Sequence, residues 1–327
     1  MRYSVFLLFT SYLLLVSCQH KQKAVSPEEL AQRDSLALHV AVVPVMDCLP
    51  IYYAERRGIF QREGLDVRLT EYLSLMDCDT ALQQGHAELA YADIARLLEL
   101  QGDSAPYRIV MGLNGEIRLV TAKSKRIRSL KHLKERMIAL DRHSAADYWS
   151  DELMKQAGLE QSAVYRPQIN DVQLRTTMLE EQLVDAALLP QPYAQRAALM
   201  GNIEAKNIEA RNRKTQESFA CLATQRQNLS DSLRNVQIRK FVRAYNEAVK
   251  ELNGQPKTKV LKQFFVEHCA SPASMADSLN MPHFTEAALP KEDRADIALA
   301  WLQGRERLVP QIARDSLFAH GIVRPKK

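Results

Sequence analysis

The sequence predicts an α/β fold of two doubly wound lobes followed by a helical C-terminal tail. Three observations carry that prediction. Short apolar, β-branched runs alternate with amphipathic helical stretches, the pattern of parallel strands joined by helices. The alternation begins again near residue 116, as a second unit of the same kind. The chain has 327 residues, more than the roughly 250–300 that one hydrophobic core usually holds.

Composition narrows the class. Hydrophobic residues make up 46% and charged residues 25%, ordinary for a globular chain. The formal charge of +5 is scattered, without a Lys/Arg run interleaved with aromatics, so nucleic acid is not expected as a partner.

The first 18 residues carry a separate signal. Arg2 supplies a positive start, and Val5 to Val16 is an almost unbroken apolar run. It is shorter than the ~20 residues a bilayer span needs. It ends in Leu15-Val16-Ser17-Cys18, which resembles the lipobox of bacterial lipoproteins. Residues 1–17 are therefore expected to be a signal peptide, and Cys18 to be lipidated as the mature N-terminus. Residues 18–37 are polar, contain Pro27 and lack an apolar period, as a tether does. The mature chain is expected to be anchored to the cell membrane by its lipid, facing the periplasm or exterior.

The elements follow in order. Leu38–Val43 is apolar and β-branched, a buried strand. Pro50–Glu63 has helical spacing and stops at Gly64; Leu65–Leu69 is the next strand. A helix over Asp77–Gln84 takes Asp77 or Asp79 as N-cap and Gly85 as its stop. Glu88–Tyr91 is a strand, Ile94–Leu100 a helix and Tyr107–Leu113 a strand. In the second unit Arg118–Ala122, Met137–Leu140, a run from Val164 and Val184–Leu189 read as strands. Ser129–Glu135, Ala145–Ala157, Val172–Glu181 and Pro192–Met200 read as helices. Phe219–Ala223 is a return strand, and Leu233–Leu252, Thr258–His268 and Asp293–Leu302 are tail helices. One lobe is then interrupted by the other: residues 38–115 and 217–327 form the first and 116–216 the second. The crossing segments near Asn114–Arg118 and Thr215–Phe219 are the expected hinge. A ligand would sit between the lobes, outside the carboxyl ends of the strands.

The run Leu49-Pro50-Ile51-Tyr52-Tyr53-Ala54-Glu55, then Gly58-Ile59-Phe60 and Glu63-Gly64-Leu65-Asp66-Val67, resembles the opening of type II periplasmic solute-binding proteins. The branch is the one with nitrate, alkanesulfonate and thiamine-pyrimidine binders. Further marks follow in the same order: Ala81-Leu82 with Gly85, Ser129-Leu130 with Leu133-Lys134, Ala157-Gly158-Leu159, and Val184-Asp185-Ala186-Ala187 before Pro192-Tyr193. The resemblance covers roughly residues 38 to 225. Glu135-Arg136 stands where the family often has Gly-Lys, and Gln191 where it often has Glu before the proline. The resemblance implies an importer receptor with a membrane permease and its ATPase as partners, a small-molecule ligand, no cofactor and a monomeric chain. Ligand would hold the two lobes in a closed form. Tyr52 and Tyr193 fall where the family often contacts ligand.

Candidate site residues cluster on loops after strands. Met46-Asp47-Cys48 and Met76-Asp77-Cys78 repeat one tripeptide 30 positions apart. Three roles stand open for Cys48 and Cys78: a disulfide, pocket-lining thiols, or ligands to a metal or haem. No CxxC or HxxxH spacing supports a metal. Asp47, Asp77, Asp93 and Asp141 fall on loops of the two lobes, and inward-facing carboxylates would favour an amine, amidine or protonated heterocycle. The helix start after Ser144 instead offers N–H groups that suit an anion, with His143 and Ser144 as contacts. Tyr52, Tyr91, Tyr148, Trp149 and Tyr193 are candidates for an aromatic wall. No nucleophile-elbow, phosphate-loop or zinc-protease motif is present. An enzyme of the same fold, or a lipoprotein that binds another protein, stands beside the receptor reading.

Overall fold

The computed structural model describes residues 26–102, 104, 106–204, 219–279, 281–291, 293–307 and 314–325. The expected signal peptide, Cys18, the start of the tether and Thr215–Ser218 of the expected hinge lie outside these residues. Pro27–Leu36 (α1) is a helix within the expected tether. Ser26 and Glu29 form its capping box, each accepting the other's backbone N–H at 3.1 and 3.2 Å. That motif, with Pro27 at the first helical position, outweighs the missing apolar period. Among the described residues no helix is long and apolar enough to cross a membrane.

Residues 37–327 form one compact unit built on two sheets. The first contains β1 (Leu38–Val42), β2 (Val67–Glu71), β3 (Leu89–Asp93), β4 (Tyr107–Gly112) and β9 (Ala220–Gln225), in the order β2-β1-β3-β9-β4. β1 is parallel to β2 and β3, while β9 enters between β3 and β4, antiparallel to both. The second contains β5 (Ile117–Thr121), β6 (Ile138–Ala139), β7 (Ala186–Pro190) and β8 (Ile203–Glu204), in the order β6-β7-β5-β8.

The first-sheet helices are α2 (Leu49–Arg56), α3 (Ile59–Arg62), α4 (Leu75–Gln83) and α5 (Ile94–Leu100). The single helix expected over Pro50–Glu63 breaks at Gly58, whose φ of 64° is left-handed and stops α2. α4 starts at Leu75, two residues earlier than expected. Its N-cap is Ser74, which accepts the Asp77 N–H at 3.1 Å and donates its hydroxyl to the Asp77 carboxylate at 2.7 Å. Asp77 is therefore part of the first turn rather than the cap.

The second sheet carries α6 (Ala145–Ala157), α7 (Val172–Glu180) and α8 (Tyr193–Leu199). The helix expected over Ser129–Glu135 is a 3₁₀ turn, Leu130–Leu133. The strand expected at Val164 is reduced to isolated bridges at Tyr165 and Gln168. After β9 come α9 (Arg226–Ser230), α10 (Ser232–Asn253), α11 (Lys257–His268) and α12 (Asp293–Gly304). α10 packs on α2 and α12 on α5. The tail thus thickens the first lobe, and α12 reaches the second: Trp301 donates to Asp151 at 2.7 Å, and Arg305 to Asp147 at 3.0 Å and Asp151 at 2.7 Å on α6.

Candidate functional site

The ends of β1, β3 and β7 and the starts of β5, α4, α6 and α7 surround one cleft. Its lining includes Asp47, Ser74, Tyr91, Asp93, Glu116, Asp141, Ser144, Trp149, Asn170, Arg175 and Phe219. Strand ends and helix starts converge here because each strand–loop–helix unit turns over the same edge of its sheet.

Asp47 sits in a 3₁₀ turn, Met46–Cys48, between β1 and α2 and is 5% exposed. The Tyr91 hydroxyl donates to its carboxylate at 3.0 Å. Burial raises the Asp47 pKa to about 7, against the Tyr91 hydrogen bond, which lowers it. Asp93 ends β3 and caps α5: one oxygen accepts from the N–H groups of Ala95 and Arg96 at 2.9 and 3.3 Å. Its other oxygen accepts the Ala145 N–H at 2.9 Å, across the cleft at the start of α6. Burial raises its pKa to about 7 in spite of these bonds. Ser144 caps α6 by accepting from Ala146 at 3.1 Å and donates to the Asp141 carbonyl at 2.9 Å. Arg175, 2% exposed, pairs with the Asp141 carboxylate at 2.9 Å and donates to the Ile169 carbonyl at 2.7 Å.

Four carboxylates thus line the cleft against one guanidinium. Asp141 is paired with Arg175 and Glu116 with Arg118, so Asp47 and Asp93 set the sign of the field, which turns negative as pH rises through about 7. Apolar surface comes from Trp149 and Phe219, the latter stacked on Tyr148 at 5.2 Å. Further bonds join the two sides: Met46 N–H to the Gln191 carbonyl at 2.8 Å, Val172 N–H to the Leu73 carbonyl at 2.9 Å, and Arg96 to the Arg142 carbonyl at 3.2 Å. The centres of water molecules can reach about 60 Å³ of the cleft. The lobes are therefore closed on a narrow space. Among the described residues no group of three His, Cys, Asp or Glu converges as metal ligands would.

Of the residues expected at the site, Asp47, Tyr91, Asp93, Asp141, Ser144 and Trp149 line the cleft. The others do not. Cys48 and Cys78 are buried, free thiols without a bridge between them. Both turn inward on their helical turns and pack in the core, and burial pushes both thiols up. Asp77 is engaged by Ser74. Tyr52 donates to Glu71 at 2.9 Å and its ring lies tilted against His268, centroids 4.1 Å apart, facing a groove between α2 and α11 instead. His143, with a left-handed φ of 62°, stands 3.8 Å from Glu99 outside the cleft. Tyr193 is fully buried in the core.

Residues missed by loop-based reasoning are Glu116, Asn170, Arg175 and Phe219. Arg175 had a readable signal: Val172, Arg175, Thr176 and Leu179 form the buried face of α7. An arginine on that 3–4 spacing is out of place on a core stripe.

A family model described as NMT1/THI5 like matches residues 46–259. No curated protein sequence matches. Among solved structures, the alkanesulfonate-binding protein SsuA from Xanthomonas axonopodis pv. citri, bound to MOPS, has a TM-score of 0.68 at 18% identity. The match covers 89% of this chain and 99% of that one. The periplasmic nitrate-binding protein NrtA from Synechocystis PCC 6803 has a TM-score of 0.70 at 12% identity, covering 88% and 87%. The periplasmic aliphatic sulphonate binding protein SsuA from Escherichia coli has 0.64 at 14%, covering 88% and 98%. At these identities the likeness carries the fold: two lobes of the type II binding-protein kind.

Proposed function

The chain belongs to the NMT1/THI5-like family, and from that premise we propose that it is the solute receptor of an ABC importer. It captures a small cationic or heterocyclic molecule, such as a thiamine precursor, between its lobes. It then delivers that molecule to a membrane permease driven by an ATPase. Cys18 carries the lipid that holds the receptor at the membrane.

The observation that carries the ligand class is Asp47. Its carboxylate is buried in the cleft wall with the Tyr91 hydroxyl as its side-chain donor. A buried carboxylate with a pKa near 7 is one that a cation would relieve, because ion pairing offsets desolvation. Trp149 and Phe219 on the same wall suit the flat face of a protonated ring. Two of the similar structures are named for alkanesulfonate and nitrate, both anions, which Asp47 and Asp93 would repel once deprotonated. Glu116 lies between β4 and β5, where one chain crossing joins the sheets, so opening there would admit the ligand.

A thermal-shift panel tests the reading, on protein lacking residues 1–18. It contains thiamine, its pyrimidine, amidines and polyamines beside nitrate, taurine and alkanesulfonates. A ligand at about 100 times its Kd stabilises by roughly 2.7 kcal/mol. The expected hit is a cation, weakened roughly 10- to 100-fold by Asp47→Asn, as when one charge-assisted contact is lost. A hit confined to oxyanions would overturn the cationic reading.

A further inference from the structure

We infer that Asp93 sets the charge sign of the ligand: its carboxylate is the built-in anion at the amino end of α6 and keeps small oxyanions out of the cleft. This deepens the receptor reading above and rests on it.

A 13-residue helix such as α6 presents unpaired N–H groups and the positive end of its dipole at its start. That start faces the cleft through Ala145 and Ala146. Both N–H groups are already taken. Ser144 takes that of Ala146, a local cap. The Ala145 N–H goes to Asp93, which belongs to the opposite sheet. Asp93 is 4% exposed and its second oxygen is held by the first turn of α5. One carboxylate therefore caps two helices, one from each lobe, in the position that a free oxyanion would need.

A second observation points the same way. Arg175 lines the same cleft, is 2% exposed, and its Nε is buried without a hydrogen-bond partner. A helix start and a buried guanidinium with an unused N–H are together the donor set of an anion site. In this chain Asp93 and Asp141 supply the negative charges in place of a ligand.

The test is isothermal titration of the full-length chain, in mild detergent, with sodium methanesulfonate and sodium nitrate as probes. Asp93→Ser keeps a cap for α5 but frees the Ala145 N–H and removes the charge. It is expected to bind the probes roughly 10- to 100-fold more tightly than the unaltered chain, the gain of one charge-assisted hydrogen bond. Adding Ala145→Pro should erase that gain. Proline lacks the N–H, suits the first helical position, and tolerates the extended Ser144 before it, with φ −125° and ψ −179°. Asp93→Asn keeps the volume and the α5 cap, and repeats the comparison should the serine variant fail to fold. Three results would overturn the inference: oxyanions bound equally by the unaltered chain, no gain in a folded variant, or a gain that survives Ala145→Pro. The cation panel with Asp47→Asn reports separately. Cations bound without an Asp93 effect sink this inference alone. An Asp93 effect without any cation hit sinks the cationic reading and leaves Asp93 as the residue that excludes anions.

Discussion

Asp47 makes the cleft sensitive to pH, and the sign can be worked out. Its pKa rises from the usual 3.8 to about 7 on folding, chiefly through burial. Between those values the folded chain holds a proton that the unfolded chain has lost. Its contribution to stability is then fully present below about pH 4 and is lost as pH rises through 7. Asp93 acts in the same direction and window. The free protein should therefore be less stable at pH 8 than at pH 5. Asp47→Asn should flatten that slope by an amount on the order of 2–4 kcal/mol, read by denaturant titration at the two pH values. Cation binding should run the other way. It needs the carboxylate, so affinity should fall up to about tenfold per pH unit below 7. A pH-independent affinity would remove Asp47 as the counter-charge. The repeated Met-Asp-Cys tripeptide illustrates how much of a site one residue type conveys. Asp47 follows a strand and is buried beside Tyr91, while Asp77 lies in the first turn of α4 beside Ser74. The repeat is in the sequence; the environments differ because one copy forms a buried 3₁₀ turn between β1 and α2 and the other lies in the first turn of α4.

At the scale of elements, caps place the site. Ser144 starts α6 in the cleft, and Ser144→Ala should lower stability by about 1 kcal/mol, or about 2 °C in Tm for a chain of this size. A loss well above that would mean that the Asp141 loop, bonded through the same hydroxyl, collapses with it. Most elements were legible because their cause is local. The apolar runs of β1 and β3, the Gly85 and Gly158 stops and the Asp93 cap are all written within a few residues. The two halves of the first-sheet wall, Asp47 and Asp93, followed from that. What was not legible depends on distant partners. Arg175 is defined by Asp141 from another loop, and Tyr193 lies in the core because elements packed over it bury its ring completely. The break at Gly58 shows the opposite failure: a helical period continued in the sequence after a single left-handed residue had ended the helix.

At the scale of the molecule, α12 is a strap. It lies on α5 of the first lobe, and its Trp301 and the following Arg305 hold Asp147 and Asp151 on α6 of the second. Asp147 is fully buried, so these bonds resist opening in addition to the backbone bonds across the cleft. Arg305→Met should shift the population toward the open form. Ligand affinity should fall about tenfold, since only the closed fraction binds tightly. The radius of gyration of the free protein, by small-angle scattering, should rise. Unchanged affinity and size would reduce the strap to packing.

The position of β9 in the first sheet has a consequence for how the chain acquires its structure. β9 is formed by residues 220–225, yet it lies between β3 and β4, which precede it by more than a hundred residues. Until that segment arrives, β3 and β4 have no edge to share, and the first sheet stays in two pieces. The second sheet, by contrast, draws all its strands from residues 117–204 and can form before the loop around it closes. Long-range closure of this kind delays folding more than it weakens the final state. The inserted unit is therefore expected to become native first, and the half begun at the amino end to be completed last.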